Sequence, residues 1–363
     1  MSSLKESISR HIRAHGPMSL AQYMSEALMH PTHGYYTNET VFGSQGDFIT
    51  APEISQVFGE LVGLWAADLW QRAGTPSPFQ LVELGPGHGT LMADALRVTR
   101  VAPGFHDALH LSLIEGSPQL RLKQAERLAP SGIAPSWYDG LADVPDRGPA
   151  IIIANEFFDA LPIRQYVFDG DRWMERRVGL NGQDDLAYTH MAGHPTESCL
   201  PSEPPKKGDV LETCMSAISV MRAISEQLLG TGGAALIVDY GYARPAYGDT
   251  FQAMRRHQYV DPLAEPGLAD LTAHVNFATL ARVALDLGLT VHGPVDQGAW
   301  LTRLGIGART QQLVVAAKSP RQAENLAAAS RRLVDSDQMG TLFRVMAVTS
   351  PNWPTPVGFE DAS

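Results

Sequence analysis

The chain is poor in cysteine: two in 363 residues, Cys199 and Cys214, in unlike surroundings. A disulfide framework and a zinc knuckle both need more, so neither is supported. It also lacks positive charge. Lysine and arginine number 28 against 39 aspartates and glutamates, a formal net charge of −11. A broad nucleic-acid footprint needs a basic face, and none is expected here. No apolar run approaches the length of a membrane span. The opening "MSSLKESISRHIRAHGPMSL" has no apolar core of a secretory signal, and Glu6 between the start and Arg10 fits a transit peptide poorly. The bacterial cytoplasm is the expected location. No internal repeat occurs. His30 and His33 in "HPTHGYY" have no third ligand nearby, so no metal is expected. What the chain does have is apolar bulk. It is 44% hydrophobic and only 18% charged, enough for a large core in more than one layer.

The pattern of that bulk changes along the chain. Ser19 and Gln22 form a capping box ahead of "AQYMSEALM". "HPTHGYYTNETVFGSQGDFIT" has no helical period and is too long for an ordinary connection, which points to a functional loop. Thr50, Pro52 and Glu53 read as a second capping box, opening a helix through "ISQVFGELVGLWAADLWQRA". Strands and helices then alternate. "FQLVEL", "LHLSLIE", "AIIIAN" and "GAALIVDYG" are strands, with "PSWYD" a short one. "GTLMADALRVT" and "QLRLKQAERLA" are helices, the second capped by Ser117 and begun by Pro118. This rhythm predicts a doubly wound α/β sheet, parallel and covered on both faces. Two alternating runs flank Asp169-Gly170, a hairpin signal inside an insertion from about 164 to 205. A second irregular excursion covers about 240–273, and "TLFRVMAVTS" reads as the last strand.

The stretch "VELGPGHGT" breaks a buried strand into glycines. Such a turn exposes backbone N–H groups at a helix start and lets a ligand approach closely. A dinucleotide site wants G-x-G-x-x-G. Here the order is Glu83-x-Gly85-x-Gly87-x-Gly89, and Thr90 stands where the third glycine would be. A nicotinamide oxidoreductase is therefore disfavoured. Glu83, at its strand end, can receive an ammonium group or shape the loop. Glu115 ends the second strand, where an acidic residue can take both ribose hydroxyls. Together these resemble the S-adenosylmethionine site of doubly wound methyltransferases. The alternative is a glycine turn that only packs a helix on a strand.

Four longer motifs narrow the resemblance. "HGYYTNETVFGSQGDFITAPEISQVFGELVGLW", "LVELGPGHGTLMADALR", "NEFFDALPIRQY" and "DLTAHVNF" occur in order over nearly the whole chain. They are similar to the MidA-like family, whose eukaryotic members include the mitochondrial assembly-factor methyltransferase of respiratory complex I. The resemblance implies a seven-strand methyltransferase (Rossmann-like) fold with an added subdomain, and S-adenosylmethionine as cofactor. It implies a helical region over 1–72 with an active-site loop, then a methyltransferase core over 73–363. It also implies a protein acceptor methylated on arginine, a complex I core subunit or its counterpart, with the mitochondrial matrix as the location of the eukaryotic relatives. Carried over by motif, Glu83, Gly85, Gly87 and Gly89 form the cofactor loop and Glu115 the ribose site. Asn155 and Glu156 stand beside the methyl-transfer point. Position 155 is Asn or His in the resembling motif, which makes Glu156 the stronger catalytic candidate.

Methyl transfer is an in-line displacement, and most of the work is positioning. An arginine acceptor arrives as a cation, because its pKa lies above about 12. A carboxylate pair can hold it in a fork and aim one nitrogen at the methyl. Glu156 is the first candidate for that role and Asp159 the second, with a cap or turn role the alternative for Asp159. Gly46 and Asp47 join the cofactor-contacting set, in a loop "GSQGDFIT" that either folds over the cofactor as a lid or is held by aromatic packing of Phe42 and Phe48. In the resembling family "DLTAHVNF" lies near the cleft, which suggests a substrate contact for Asp270 and His274. Helix capping by Asp270 or Thr272 is the alternative. Two other functions stay open at this level: methylation of a small molecule, and a non-catalytic complex I assembly chaperone that keeps the cofactor pocket.

Overall fold

A computed structural model of the chain describes residues 4–37, 50–196 and 200–360. These residues divide into two compact units. One draws on 49–157, 221–243 and 283–363, the other on 1–48, 158–220 and 244–282.

The first of these is the doubly wound unit. Its sheet contains β1 (Phe79–Leu84), β2 (Leu109–Ile114), β3 (Ser136–Tyr138), β4 (Ala150–Asn155), β5 (Gly233–Tyr242), β6 (Thr290–Asp296) and β7 (Phe343–Thr349). The spatial order is β3-β2-β1-β4-β5-β7-β6. Neighbours from β3 to β5 pair in parallel, while β7 runs antiparallel between β5 and β6. Every residue of β1 and β4 is buried, as strands covered on both faces require. The helices α1 (Gln56–Arg72), α2 (Thr90–Thr99), α3 (Pro118–Leu128) and α4 (Ile306–Val315) belong to this unit. Phe58, Trp65, Trp70, Phe79, Phe105 and Trp300 anchor its core.

Helix α1 was expected in a separate N-terminal region, but its apolar face belongs to the sheet's core. Its start also differs from expectation. Thr50 caps a single turn, Ala51–Ile54, without a side-chain bond. The chain then extends at Ser55, whose hydroxyl accepts Val57 N–H and caps α1. Glu53 does not close a capping box; its carboxylate is engaged elsewhere.

The other unit is built mostly of antiparallel sheet. Arg164–Phe168 and Trp173–Leu180 form the hairpin around Asp169-Gly170. Leu186–Ala192 and Val210–Thr213 extend the sheet, and the N-terminal Met18–Ser19 pairs with Arg177–Val178. A second sheet runs Gln258–Val260, Gln252–Arg255, Asp270–Thr272. Ser19 and Gln22 make the expected capping box on Leu20–Met29. Leu20, Tyr23, Met24, Leu28, Val178 and Leu271 share one buried cluster. The N-terminal helices, the insertion and the excursion, separate features in the sequence, therefore make one unit.

Candidate functional site

The parallel register brings three strand ends into one row. Leu84 of β1 pairs with Ile114 of β2 and with Ala154 of β4, so Gly85, Glu115 and Asn155 leave the sheet side by side. This is the switch point of the strand order, where chain crossings depart in opposite directions from β1 and β4. Open α/β sheets bind ligands at the carboxyl ends of strands at such a point.

The loop after β1 follows its glycines. Gly85, Gly87 and Gly89 all have positive φ, at 62°, 51° and 74°. A Cβ on Gly85 would lie 3.0 Å from the Phe157 ring, and Gly89 is the left-handed N-cap of α2. A side chain at these positions would strain the backbone and, at Gly85, crowd the loop.

Glu83 lies just before this turn, 3% exposed. Its Oε2 has no hydrogen-bond partner among the described residues. Burial pushes its carboxyl up to about 8. A buried carboxyl with an unmet oxygen suits an incoming ammonium, which would restore its charge. Glu115 is half-buried. Its Oε1 accepts Ser117 N–H at 2.8 Å and its Oε2 accepts the Gln124 amide at 3.1 Å. Burial raises its pKa, and these donors pull against the rise. With about four lone-pair sites on a carboxylate, it can still accept two hydroxyls.

Glu156 follows β4 in a left-handed conformation, φ 49°. Only a structure that over-determines such a residue keeps it there, and such strain clusters at functional sites. Its backbone N–H donates to Val238 O at 2.9 Å. Its Oε1 accepts Ala51 N–H at 2.8 Å and the Asn155 amide at 3.3 Å. The Asn155 Oδ1 is buried with no partner among the described residues. Asp239 of β5 braces the same turn by accepting Phe157 N–H at 3.2 Å.

The doubly wound unit thus brings Glu83, Gly85, Gly87, Gly89, Glu115, Asn155 and Glu156 to the carboxyl ends of its central strands. Asp159 belongs to the other unit. It is a buried turn residue whose carbonyl accepts Ala273 N–H at 3.0 Å. Asp270 is not a helix cap either. It lies in a strand and accepts the Tyr36 hydroxyl at 3.1 Å. Burial, then Asp270 and Asp159, raise the Tyr36 pKa well above the usual range, so that hydroxyl remains a donor. His274 is held neutral by burial, its pKa lowered. Its backbone N–H donates to Thr250 Oγ1 at 2.9 Å. His30 closes its own turn, its Nδ1 accepting Thr32 and His33 N–H at 3.3 Å. Gly46, Asp47 and the lid reading of "GSQGDFI" lie outside the described residues.

Gln124, Trp137, Arg127 and His88 carried no sequence signal as site residues. Gln124 and Trp137 join Glu115 to the glycine loop. Glu53 accepts the Thr90 hydroxyl at 2.6 Å, and Arg127 donates to Thr90 at 2.8 Å. His88, with Thr90 and Arg127, holds the Glu53 carboxyl below its usual range against partial burial. Glutamine and arginine are ordinary on helix surfaces, so their positions in α3 gave no cue. Asp239 did leave a trace, as a lone carboxylate inside the apolar run "GAALIVDYG".

Fold and site together define an S-adenosylmethionine-dependent methyltransferase. Residues 61–295 match a family described as S-adenosyl-L-methionine-dependent methyltransferase, and the chain belongs to that family. The chain is 38% identical to the Drosophila melanogaster protein named "Protein arginine methyltransferase NDUFAF7 homolog, mitochondrial", over 95% of this chain and 84% of that one. Against the Homo sapiens protein arginine methyltransferase NDUFAF7, mitochondrial, it is 35% identical over 93% and 81%. Among solved structures, a Burkholderia thailandensis protein bound to S-adenosylhomocysteine superposes with a TM-score of 0.82. That pair is 26% identical, covering 99% of this chain and 95% of that one. No helix among the described residues is long and apolar enough to cross a membrane.

Proposed function

We propose that this methyltransferase modifies an arginine side chain of a protein acceptor, a respiratory complex I core subunit or its bacterial counterpart. The observation that carries the reading is similarity, over 93–95% of the chain, to proteins named as protein arginine methyltransferases. Glu156 supplies the chemistry. A guanidinium needs a fixed carboxylate to hold it in one plane and aim one nitrogen. Ala51 N–H and the Asn155 amide fix the rotamer of Glu156 before any acceptor arrives.

Glu83 would take the ammonium of S-adenosylmethionine, the glycine loop would pass close to its body, and Glu115 would hold its ribose. The cofactor supplies an electrophilic methyl on a sulfonium. With the cofactor so held, its methyl would be presented to the acceptor nitrogen that Glu156 orients, and that nitrogen would give up a proton. Glu156 keeps the acceptor's lone pair in line and balances the charge beside it. The proton passes to Glu156 or to water.

The test is methyl transfer from labelled S-adenosylmethionine to proteins of the host's respiratory peripheral arm. Label on one arginine of one subunit, absent with Glu156→Ala, is the expected result. Label on a small molecule would overturn the protein acceptor. Tight cofactor binding with no transfer to any fraction would favour an assembly chaperone.

A further inference from the structure

The doubly wound unit contains a buried polar relay outside the motif residues. Gln124 in the middle of α3 is fully buried. Its amide makes three bonds at once. Nε2 donates to Gly87 O at 2.8 Å and to Glu115 Oε2 at 3.1 Å, and Oε1 accepts the Trp137 indole N–H at 2.8 Å. These partners fix which way the amide faces. An indole can only donate, so the atom facing Trp137 must be oxygen, and a carbonyl and a carboxylate can only be met by the NH2. A flipped amide would lose all three bonds. The stem runs along the glycine loop too: a Cβ on Gly89 would lie 3.4 Å from Gln124 Cγ.

We propose that Gln124, oriented by Trp137, is a positioning residue for the cofactor, setting the Glu115 carboxylate and the Gly87 peptide in the one arrangement that reads the ribose hydroxyls. The inference rests on the reading of Glu115 as the ribose carboxylate. Glu115 is held at Oε1 by Ser117 N–H from its own chain turn. Only Gln124 ties its second oxygen to the glycine loop among the bonds described. Without that tie the carboxylate can rotate about its last torsion, which is broad and roughly two-fold. Two ribose hydroxyls would then meet one well-placed oxygen instead of two. Trp137 acts at one remove, on the edge strand β3, by choosing the face of the amide.

The experiment is calorimetric binding of S-adenosylhomocysteine and its 2′-deoxy analogue to the full chain, with melting temperature as fold control. The wild-type protein should prefer the ribose form by about tenfold or more, the worth of a hydrogen bond to a charged group. Gln124→Met should weaken S-adenosylhomocysteine by about 10- to 100-fold and shrink the preference to about twofold, since it removes the bonds that hold Glu115 and the Gly87 carbonyl. Trp137→Phe should shift the preference the same way by a few-fold. A purely structural role would weaken both ligands alike and leave the ratio intact, and that result overturns the proposal. If Gln124→Met does not fold, an unchanged ratio in Trp137→Phe overturns it instead. Glu115→Gln separates the two readings. If it leaves the preference at the wild-type value, the ribose assignment has failed and the relay falls with it. If it abolishes the preference while both relay variants keep it, only the relay has failed.

Discussion

With its carboxyl raised to about 8, Glu83 is largely protonated at pH 7 in the ligand-free protein. An ammonium brought against it favours the charged form, so binding should expel that proton. Calorimetry of S-adenosylhomocysteine binding at pH 7, in buffers of different ionisation enthalpy, should show release approaching one proton, lost in Glu83→Gln. No release in the wild type would separate Glu83 from the ammonium. The same group affects stability with a definite sign. Its folded pKa lies above the ordinary 4.5, so the folded state binds more protons than the unfolded state between those values. Its contribution is fully present below about pH 4.5 and is lost as pH rises through about 8. The melting temperature of the ligand-free protein should therefore fall across this window, and Glu83→Gln should flatten the slope. Glu156 calls for a paired substitution. In Glu156→Gln an oxygen can still accept Ala51 N–H while the charge is gone; Glu156→Ala removes both. If charge holds the acceptor, each should lower kcat/KM by about 100-fold or more, as loss of a transition-state contact does. If the residue only anchors Ala51, Gln should keep near wild-type turnover. A radiometric methyl-transfer assay distinguishes the two.

At the scale of elements, α1 and α2 cross through glycines. A Cβ on Gly63 would fall 2.6 Å from Ala95 Cα, and one on Gly59 would fall 2.9 Å from Leu91 O. Backbone cannot yield as a side-chain tip can, so Gly63→Val must separate the helices. Overpacking of this kind costs about 1–3 kcal/mol, and urea unfolding should show the loss with little change in slope. An unchanged midpoint would mean that the crossing is slack. The elements themselves were largely legible in the sequence. Uninterrupted apolar runs such as "AIIIAN" and caps such as Ser19/Gln22 and Ser117/Pro118 are local signals, and the chain follows them. Glu53 misled because a capping box and a tertiary bond use the same residue type at the same spacing. Its carboxylate meets Thr90 and His88, far away in sequence, and no local pattern encodes that choice. The capping alternative for Asp270 failed for a related reason: ahead of a helix it resembles a cap, while pairing with Met254 places it in a strand. The placement of the glycine loop and the strand-end acids at one turn of the fold was readable, because glycine spacing and strand ends are local features. Gln124 was not, since what matters about it is its burial between three partners.

At the scale of the whole molecule, the hidden feature was assembly. One unit gathers three separated segments, with Met18–Ser19 adding to a hairpin some 160 residues later, and sequence periodicity carries no information on such pairings. The doubly wound unit also needs long-range ties, and Glu60 provides one. It is fully buried on α1 and meets Arg97 of α2 at 2.5 Å and Arg309 of α4 at 2.6 and 3.0 Å. Burial pushes its pKa up, and Arg309 and Arg97 more than offset this, so the net shift is downward. Removing the carboxylate would leave two guanidiniums facing each other over an apolar helix. Glu60→Ala should destabilise by less than the roughly 3–5 kcal/mol of a fully buried pair, because Arg97 is half-exposed and keeps Asp94 as a partner. Its pH signature is opposite to that of Glu83. A lowered folded pKa gives stability that is present above the ordinary 4.5 and is lost as pH falls through the folded value. Glu60→Gln should therefore weaken the protein at pH 7 yet approach wild-type stability in acid, while Glu83→Gln acts between pH 4.5 and 8. Denaturant titrations of both variants over pH 3 to 9 read the two windows separately. A Glu60→Gln deficit that persists undiminished at the acid end would show that shape, not charge, makes the tie.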